Sequence, residues 1–225
     1  MHLISVIIPY YKGERFIAET LNSVFRQQYP NLEIIIVNDG SPVDSLVALE
    51  PFRDRIVLVS QENKGQASAR NTGITYAHGD LIAFLDQDDI WTDNHLALLL
   101  PYVIGESSFA FAQGKIQEFR TDQEGHIHAD EPKLHPVMIG SSLFTSKTIH
   151  TVGMFDESMR EGEDFDWTVR LQETGLVGNI IPDVTFLYRR HETNYSNTPD
   201  FVQKGEFLTI RKKLERLKRD RQENN

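Results

Sequence analysis

Apolar residues in the first hundred positions fall into short unbroken runs, separated by stretches in which they recur every third or fourth place. The runs are Leu3 to Pro9, Leu32 to Val37, Ile56 to Val59 and Leu81 to Leu85. Runs this short, rich in Ile and Val, predict strands buried on both faces. Between the first two, Phe16, Ile17, Leu21, Val24 and Phe25 keep helical spacing, and "QQYPN" closes the pattern. "ENKGQASARNTGITYA" reads as a loop entering a helix with small residues where the helix packs closely. Asp93 to Tyr102 predicts the next helix. Strands alternating with helices predict βαβ units, a mostly parallel central sheet flanked by helices, and an α/β class.

Beyond about Phe109 the alternation fades. Phe109 to Gln113 and Lys115 to Phe119 predict two strands, and "RTDQEGHIHADEPKLHP" a polar loop carrying His126, His128 and His135. Three histidines so spaced invite a metal reading, but nothing around them supports it over a solvated loop. "EGEDFDWTVRLQETG" predicts a helix with an acidic entry and a closing Gly175. Two further runs, Val177 to Ile181 and Val184 to Tyr188, precede "RRHETNYS".

Ligands of open α/β sheets bind past the carboxyl ends of the strands. "PYY", "NDGS" and "DQDD" each follow a predicted strand, so the chain is expected to gather these three loops at one edge.

Composition narrows the picture. At 225 residues, with 40% hydrophobic and 25% charged positions, the chain suits one globular domain. A net charge of −10 argues against nucleic acid as a partner. The charge is uneven: Lys204 to Arg221 holds eight Lys/Arg against three Asp/Glu, leaving −15 for the rest. There is no cysteine, which excludes disulfides and thiolate sites and suits a reducing compartment. "MHLISVIIPYY" lacks a basic lead-in and reads as a first strand, not a signal peptide. No apolar run approaches the roughly 20 residues that span a bilayer.

Asp86, Asp88 and Asp89 pose the chemical question, since three like charges in four positions repel one another. A hard cation such as Mg²⁺ or Mn²⁺, arriving with a diphosphate, would relieve the repulsion. A solvated turn explains the spacing as well. Lys64 and Arg70, near a glycine and a helix start, suit phosphate, or a surface loop with a structural arginine. Asp39 at a strand end would accept hydrogen bonds from a base or ribose, or close an Asx-turn. Glu163 and Asp164 would serve as first-turn acids at a helix N-terminus.

Taken together, these blocks resemble family 2 glycosyltransferases. "SVIIPYYKGERFIAETLNSVFRQQYPNLEIIIVNDGSPVDS", "ENKGQASARNTG", "GDLIAFLDQDDIW", "GEDFDWTVRL" and "YRRH" occur in the family's order over roughly residues 3 to 191. The resemblance implies a GT-A fold: residues 1–200 as one domain, with a nucleotide-sugar half to about residue 115 and a smaller acceptor half over 116–200. A basic amphipathic helix over 201–225 would follow. It also implies transfer of a sugar from a nucleotide-sugar, with UDP the commonest carrier, to a saccharide or lipid-linked acceptor with inversion. By the same resemblance Asp88 ligates Mn²⁺ or Mg²⁺, Asp86 holds the ribose or the metal's waters, and Asp89 caps the following turn. Tyr11 and Asp39 meet base and ribose, Pro9 shapes the first loop, Arg70 lines the nucleotide, His191 reaches metal or diphosphate, and Asp164 is the general base. Lys12, Asn38 and "SPVD" depart from the family's usual loops without removing any of these groups.

Two other readings compete. A sugar-nucleotide pyrophosphorylase would need a glycine-rich, arginine-bearing loop after the first strand, which "PYYKGERF" matches poorly. A nucleotide-sugar-binding protein without turnover would have no need of Asp164. The expected location is the cytoplasm, at the inner membrane face where the acceptor is lipid-linked. In the tail, Phe207, Ile210, Leu214 and Leu217 form a stripe at heptad-like spacing. It would pack on its own domain, pair with a second copy, or lie on a membrane.

Overall fold

The structure, a computed structural model, describes residues 2–105, 109–135, 138–197 and 200–223. The last two tail positions, and Pro136 at the end of the polar loop, lie outside them.

Strand β1 (Ile4–Tyr10) leads through helix α1 (Ile17–Phe25) to β2 (Leu32–Asp39). A short α2 (Val43–Leu46) runs into a 3₁₀ turn, Val47–Arg55, before β3 (Val57–Gln61). Then come α3 (Gln66–Tyr76), β4 (Leu81–Phe84), β5 (Ile90–Trp91) and α4 (His95–Ile104). The remainder comprises β6 (Phe111–Thr121), β7 (Ile127–Ala129), β8 (Ser142–Thr145), α5 (Ser146–Val152), α6 (Glu163–Glu173), β9 (Gly178–Arg189) and α7 (Phe201–Glu223).

Among the described residues one sheet runs β3-β2-β1-β4-β8-β6-β9-β5, with β7 on the side of β6. From β3 to β4 every pairing is parallel, as the βαβ pattern requires. Past β4, β8 runs antiparallel to both β4 and β6, while β6 and β9 are parallel. Position 115 falls inside β6, so one sheet serves both halves.

The unbroken apolar strands are buried on both faces. Ile4, Val6, Ile8 and Tyr10 of β1 join one core layer with Ile17, Leu21 and Val24 of α1 and Leu96 and Leu99 of α4. Ile7 turns to the other layer, with Ile82, Phe84, Phe144 and Trp167. There Gly73 of α3 presses on Ile7, and any Cβ would overlap that side chain. The small residues of "ASARNTG" thus let α3 lie close on β1 and β2.

Two expected breaks are absent. Residues 111–113 of the first run and all of 115–119 form one strand, with a register shift against β9 between Gln113 and Lys115. The runs 177–181 and 184–188 are likewise one strand, across Pro182. A bulge absorbs an irregular residue without ending a strand. The polar loop contains β7, where His126 and His128 approach Asp122 at 3.4 and 2.8 Å. Glu124 joins them, but this is an exposed group at a hairpin tip, far in sequence from "DQDD".

Helix α7 docks by its basic face. Lys212 pairs with Asp156 at 2.8 Å, Lys213 with Glu173 at 3.0 Å, and Arg216 with buried Asp166 at 2.7 Å. Gly205 meets Gly162, which has φ +74°; a Cβ at Gly162 would stand 2.6 Å from the Gly205 Cα. The apolar stripe faces outward, so it does not pack on its own domain. Gly162→Ala is expected to lose about 1–2 kcal/mol from the left-handed backbone alone, before the clash with α7. Thermal melting would show a fall of about 2–4 °C per kcal/mol in a chain this size; an unchanged midpoint would contradict the close approach.

Candidate active site

The three aspartates have three different partners. Asp86 Oδ1 accepts from Arg70 Nη2 at 3.0 Å and from Gln66 Nε2 at 2.8 Å. Asp88 Oδ2 lies 2.8 Å from His191 Nε2. Asp89, 1% exposed, accepts the Arg189 backbone N–H at 2.8 Å. The expected turn cap is therefore a clamp that ties this loop to the end of β9. Burial first, then the charges of Asp88 and Asp86, push the Asp89 carboxyl well up. Arg189 completes the clamp, donating to the Asp88 carbonyl at 2.7 Å and to Glu19 at 2.5 Å.

Gln87, between the acids, secures the first loop. Its Oε1 accepts the Tyr11 N–H at 2.8 Å and its Nε2 donates to the Tyr11 carbonyl at 3.0 Å. Tyr11 is exposed, beside Pro9 at the carboxyl end of β1. Asp39, at the end of β2, takes the backbone N–H groups of Lys64 and Gly65 at 2.9 and 2.8 Å, and Gln61 Nε2 at 2.8 Å. It holds the loop that opens α3, leaving the Lys64 side chain exposed.

Arg70 is deeply buried, at 2% exposure. Its guanidinium bridges Asp86 and Glu163, the latter at 2.9 Å through Nη1, while Nε has no hydrogen-bond partner among the described residues. One cation thus joins the loop after β4 to the N-terminus of α6. Asp164 follows, half-buried, with Oδ1 accepting the Phe165 N–H at 2.8 Å. Burial raises the Asp164 carboxyl; Arg70 opposes the rise and Asp86 adds to it. Glu163 is pushed up to about 7 by burial and by the charge of Asp164, against Arg70.

His191 is seated by neighbours that sequence reasoning did not single out. Its ring lies 4.5 Å from that of Phe16, and its backbone N–H donates to Asn194 Oδ1 at 2.5 Å. Asn194 Nδ2 in turn donates to the Arg189 carbonyl at 3.0 Å. The short spacing in "HETN" was the available signal. Gln87 was hidden as the middle residue of "DQD", and Glu163 as the neighbour of Asp164.

The loops after β1, β2 and β4 therefore converge on one edge with the start of α6 and the end of β9. Asp88 and His191 offer a carboxylate oxygen and an imidazole nitrogen side by side, a donor set that suits Mn²⁺ or, with fewer protein ligands, Mg²⁺. Asp86 lies two residues away.

Comparison with known proteins gives a consistent result. The family model described as glycosyl transferase family 2 matches residues 5–155. An uncharacterized glycosyltransferase of Rickettsia bellii is 30% identical over 216 residues, covering 90% of this chain and 31% of its own length. The Escherichia coli UDP-Glc:α-D-GlcNAc-diphosphoundecaprenol β-1,3-glucosyltransferase WfgD is 37% identical over 118 residues, 52% of this chain and 46% of WfgD. In structure, the mannosyltransferase PcManGT of Pyrobaculum calidifontis, solved with GDP-Man and Mn²⁺, superposes with a TM-score of 0.75 at 18% identity. It covers 95% of this chain and 64% of that one. The chain spans between 31% and 66% of the length of the first two curated relatives it matches.

Proposed function

The chain belongs to glycosyl transferase family 2, and from that premise we propose that it moves a sugar from a nucleotide-sugar to a hydroxyl of a saccharide or lipid-linked acceptor, with inversion. The observation that carries this reading is the Asp86–Arg70–Glu163 bridge. It sets the carboxylate next to the base, Asp164, against the loop that would receive the donor's diphosphate. A UDP-sugar is the proposed donor, supported by the UDP-glucose in WfgD's name.

Asp164 takes the proton of the acceptor hydroxyl. As it does so, the acceptor oxygen forms a bond to the anomeric carbon. The bond from that carbon to the diphosphate oxygen breaks on the opposite face, and the diphosphate leaves with the electron pair. Asp88 and His191 would hold Mn²⁺ or Mg²⁺, which when bound would offset charge developing on the diphosphate. Tyr11 and Lys64, both exposed at the edge, would meet the base and phosphates. Asp39 acts by shaping the loop that carries Lys64, and Pro9, one residue before the end of β1, by shaping the first loop. Arg70 acts through Asp86 and Glu163, as a positioning residue.

The test is incubation with UDP- and GDP-sugars and a polyprenyl-diphosphate saccharide, reading nucleoside diphosphate release and the product's anomeric configuration. Retention at the anomeric carbon would overturn the inverting mechanism, and donor binding without transfer would favour a binding protein.

The pH dependence has a definite sign. Asp164 works ionised, and burial raises its carboxyl, so activity is lost as pH falls through a range above the ordinary carboxylate value of about 4. Glu163, near 7, takes up a proton in the same direction and weakens its pair with Arg70. Initial rates should therefore decline below about pH 7. A flat profile down to about pH 4.5 would show that neither group is raised.

A further inference from the structure

The outer face of α7 takes no part in the transfer chemistry or in holding the helix to the domain. Phe207, Ile210, Leu214 and Leu217 are 67, 58, 53 and 45% exposed. With Arg211, Glu215 and Lys218, the first three line a shallow groove. Docking uses the opposite face, through Gly205, Lys212 and Arg216, so the stripe is not needed to fix the helix. Such a stripe exposed on a helix marks a contact surface.

Charge selects the occupant. Lys204, Arg211 and Lys218 recur every seven residues along one edge of the stripe, Arg211 also pairing with the exposed Glu215 at 3.0 Å. The other edge carries Glu206 and Lys213, the latter paired with Glu173. In an antiparallel pair of α7 helices like edges meet, setting three cations against three. A parallel pair sets Lys213 of one copy against Lys218 of the other and Glu206 against Arg211, so one repulsion and one attraction cancel. Charge thus opposes an antiparallel second copy and gives a parallel one nothing, whereas a negative surface is complemented by the three cations. The rest of the chain, at −15, is repelled by such a surface and leaves α7 as the approach.

We propose that this face docks on an anionic phospholipid surface. The stripe enters the boundary between headgroups and acyl chains, and Lys204, Arg211 and Lys218 contact lipid phosphates. The helix lies in the interface: among the described residues no helix is long and apolar enough to cross a membrane. Phe207 is two residues beyond Gly205, which abuts Gly162 just ahead of Glu163 and Asp164. Docking would therefore leave the start of α6, which carries the base, one helix away from the surface that presents a lipid-linked hydroxyl. That last link rests on the transferase reading; the docking itself does not.

The experiment is flotation of the full chain with phosphatidylcholine vesicles, with and without phosphatidylglycerol, alongside sedimentation velocity and nucleotide titration. The expected result is co-flotation with the anionic vesicles alone, weakened by salt. Binding should fall at least about tenfold in Phe207→Ser/Leu214→Ser, whose lost apolar burial feeds directly into partitioning. Lys204→Glu/Arg211→Glu/Lys218→Glu should abolish it. Both variants should keep wild-type nucleotide binding, which separates a failure of docking from a failure of the fold or of the transferase reading. Absence of flotation, flotation unchanged in the stripe variant, or a dimer that the stripe variant dissolves would each overturn the proposal.

Discussion

Replacing Asp164 with asparagine is expected to lower kcat by about 10²–10⁴-fold, the usual contribution of a general base, while nucleotide binding stays at its wild-type level. Asparagine keeps the shape of the side chain, and its Oδ1 can still accept the Phe165 N–H that Asp164 now accepts. The Arg70–Glu163 pair is untouched. What disappears is the carboxylate proposed to take the proton as the acceptor oxygen attacks. Single-turnover transfer and calorimetric nucleotide binding, measured side by side, separate the two effects. Unchanged turnover would move the base elsewhere and leave Asp164 as a helix-start acid.

Arg70→Met should cost about 3–5 kcal/mol of stability, because removing one partner of a buried pair strands the other charge. The loss falls mainly on Glu163, whose side chain is 8% exposed. Asp86 is about a third exposed, so solvent screens its share. Lysine should rescue only part, since one ammonium cannot reach two carboxylates as the guanidinium fork does. Arg70→Met/Glu163→Gln should recover stability relative to Arg70→Met, because the stranded charge is gone. Urea denaturation of the set reads this directly. If Arg70→Met were as stable as the parent, the bridge would not hold the two loops together.

Much of this architecture was legible in the chain. The unbroken runs at Leu3–Pro9, Leu32–Val37 and Leu81–Leu85 can be buried only with helices on both faces, so a parallel order and a loop-bearing edge follow from them. β6 and β9 were harder. Gly114 and Pro182 read locally as breaks, and only the partner strand shows that the sheet carries on past them. Long-range partners were hidden for the same reason. Asp39 and Arg70 read as nucleotide residues from their neighbours in sequence, and their partners in the fold, the Lys64–Gly65 backbone and Glu163 across 93 positions, lay out of local view. Nothing near Asp89 foretold the Arg189 N–H. The orientation of α7 depends on Asp156, Asp166 and Glu173, acids that a helical wheel of the tail alone cannot contain.

In the proposed function the loop following β4 binds a nucleoside diphosphate, with Asp88 and His191 as the residues that would hold Mn²⁺ or Mg²⁺ beside it. Calorimetric titration with UDP, GDP and dTDP, each with Mn²⁺ and with EDTA, on the parent and on Asp88→Ala tests it most directly. One nucleotide, UDP, is expected to bind in the presence of Mn²⁺, and EDTA or Asp88→Ala to remove the binding. Binding indifferent to both, or no binding by any of the three, would contradict it and return Asp86, Asp88 and Asp89 to the role of a solvated turn.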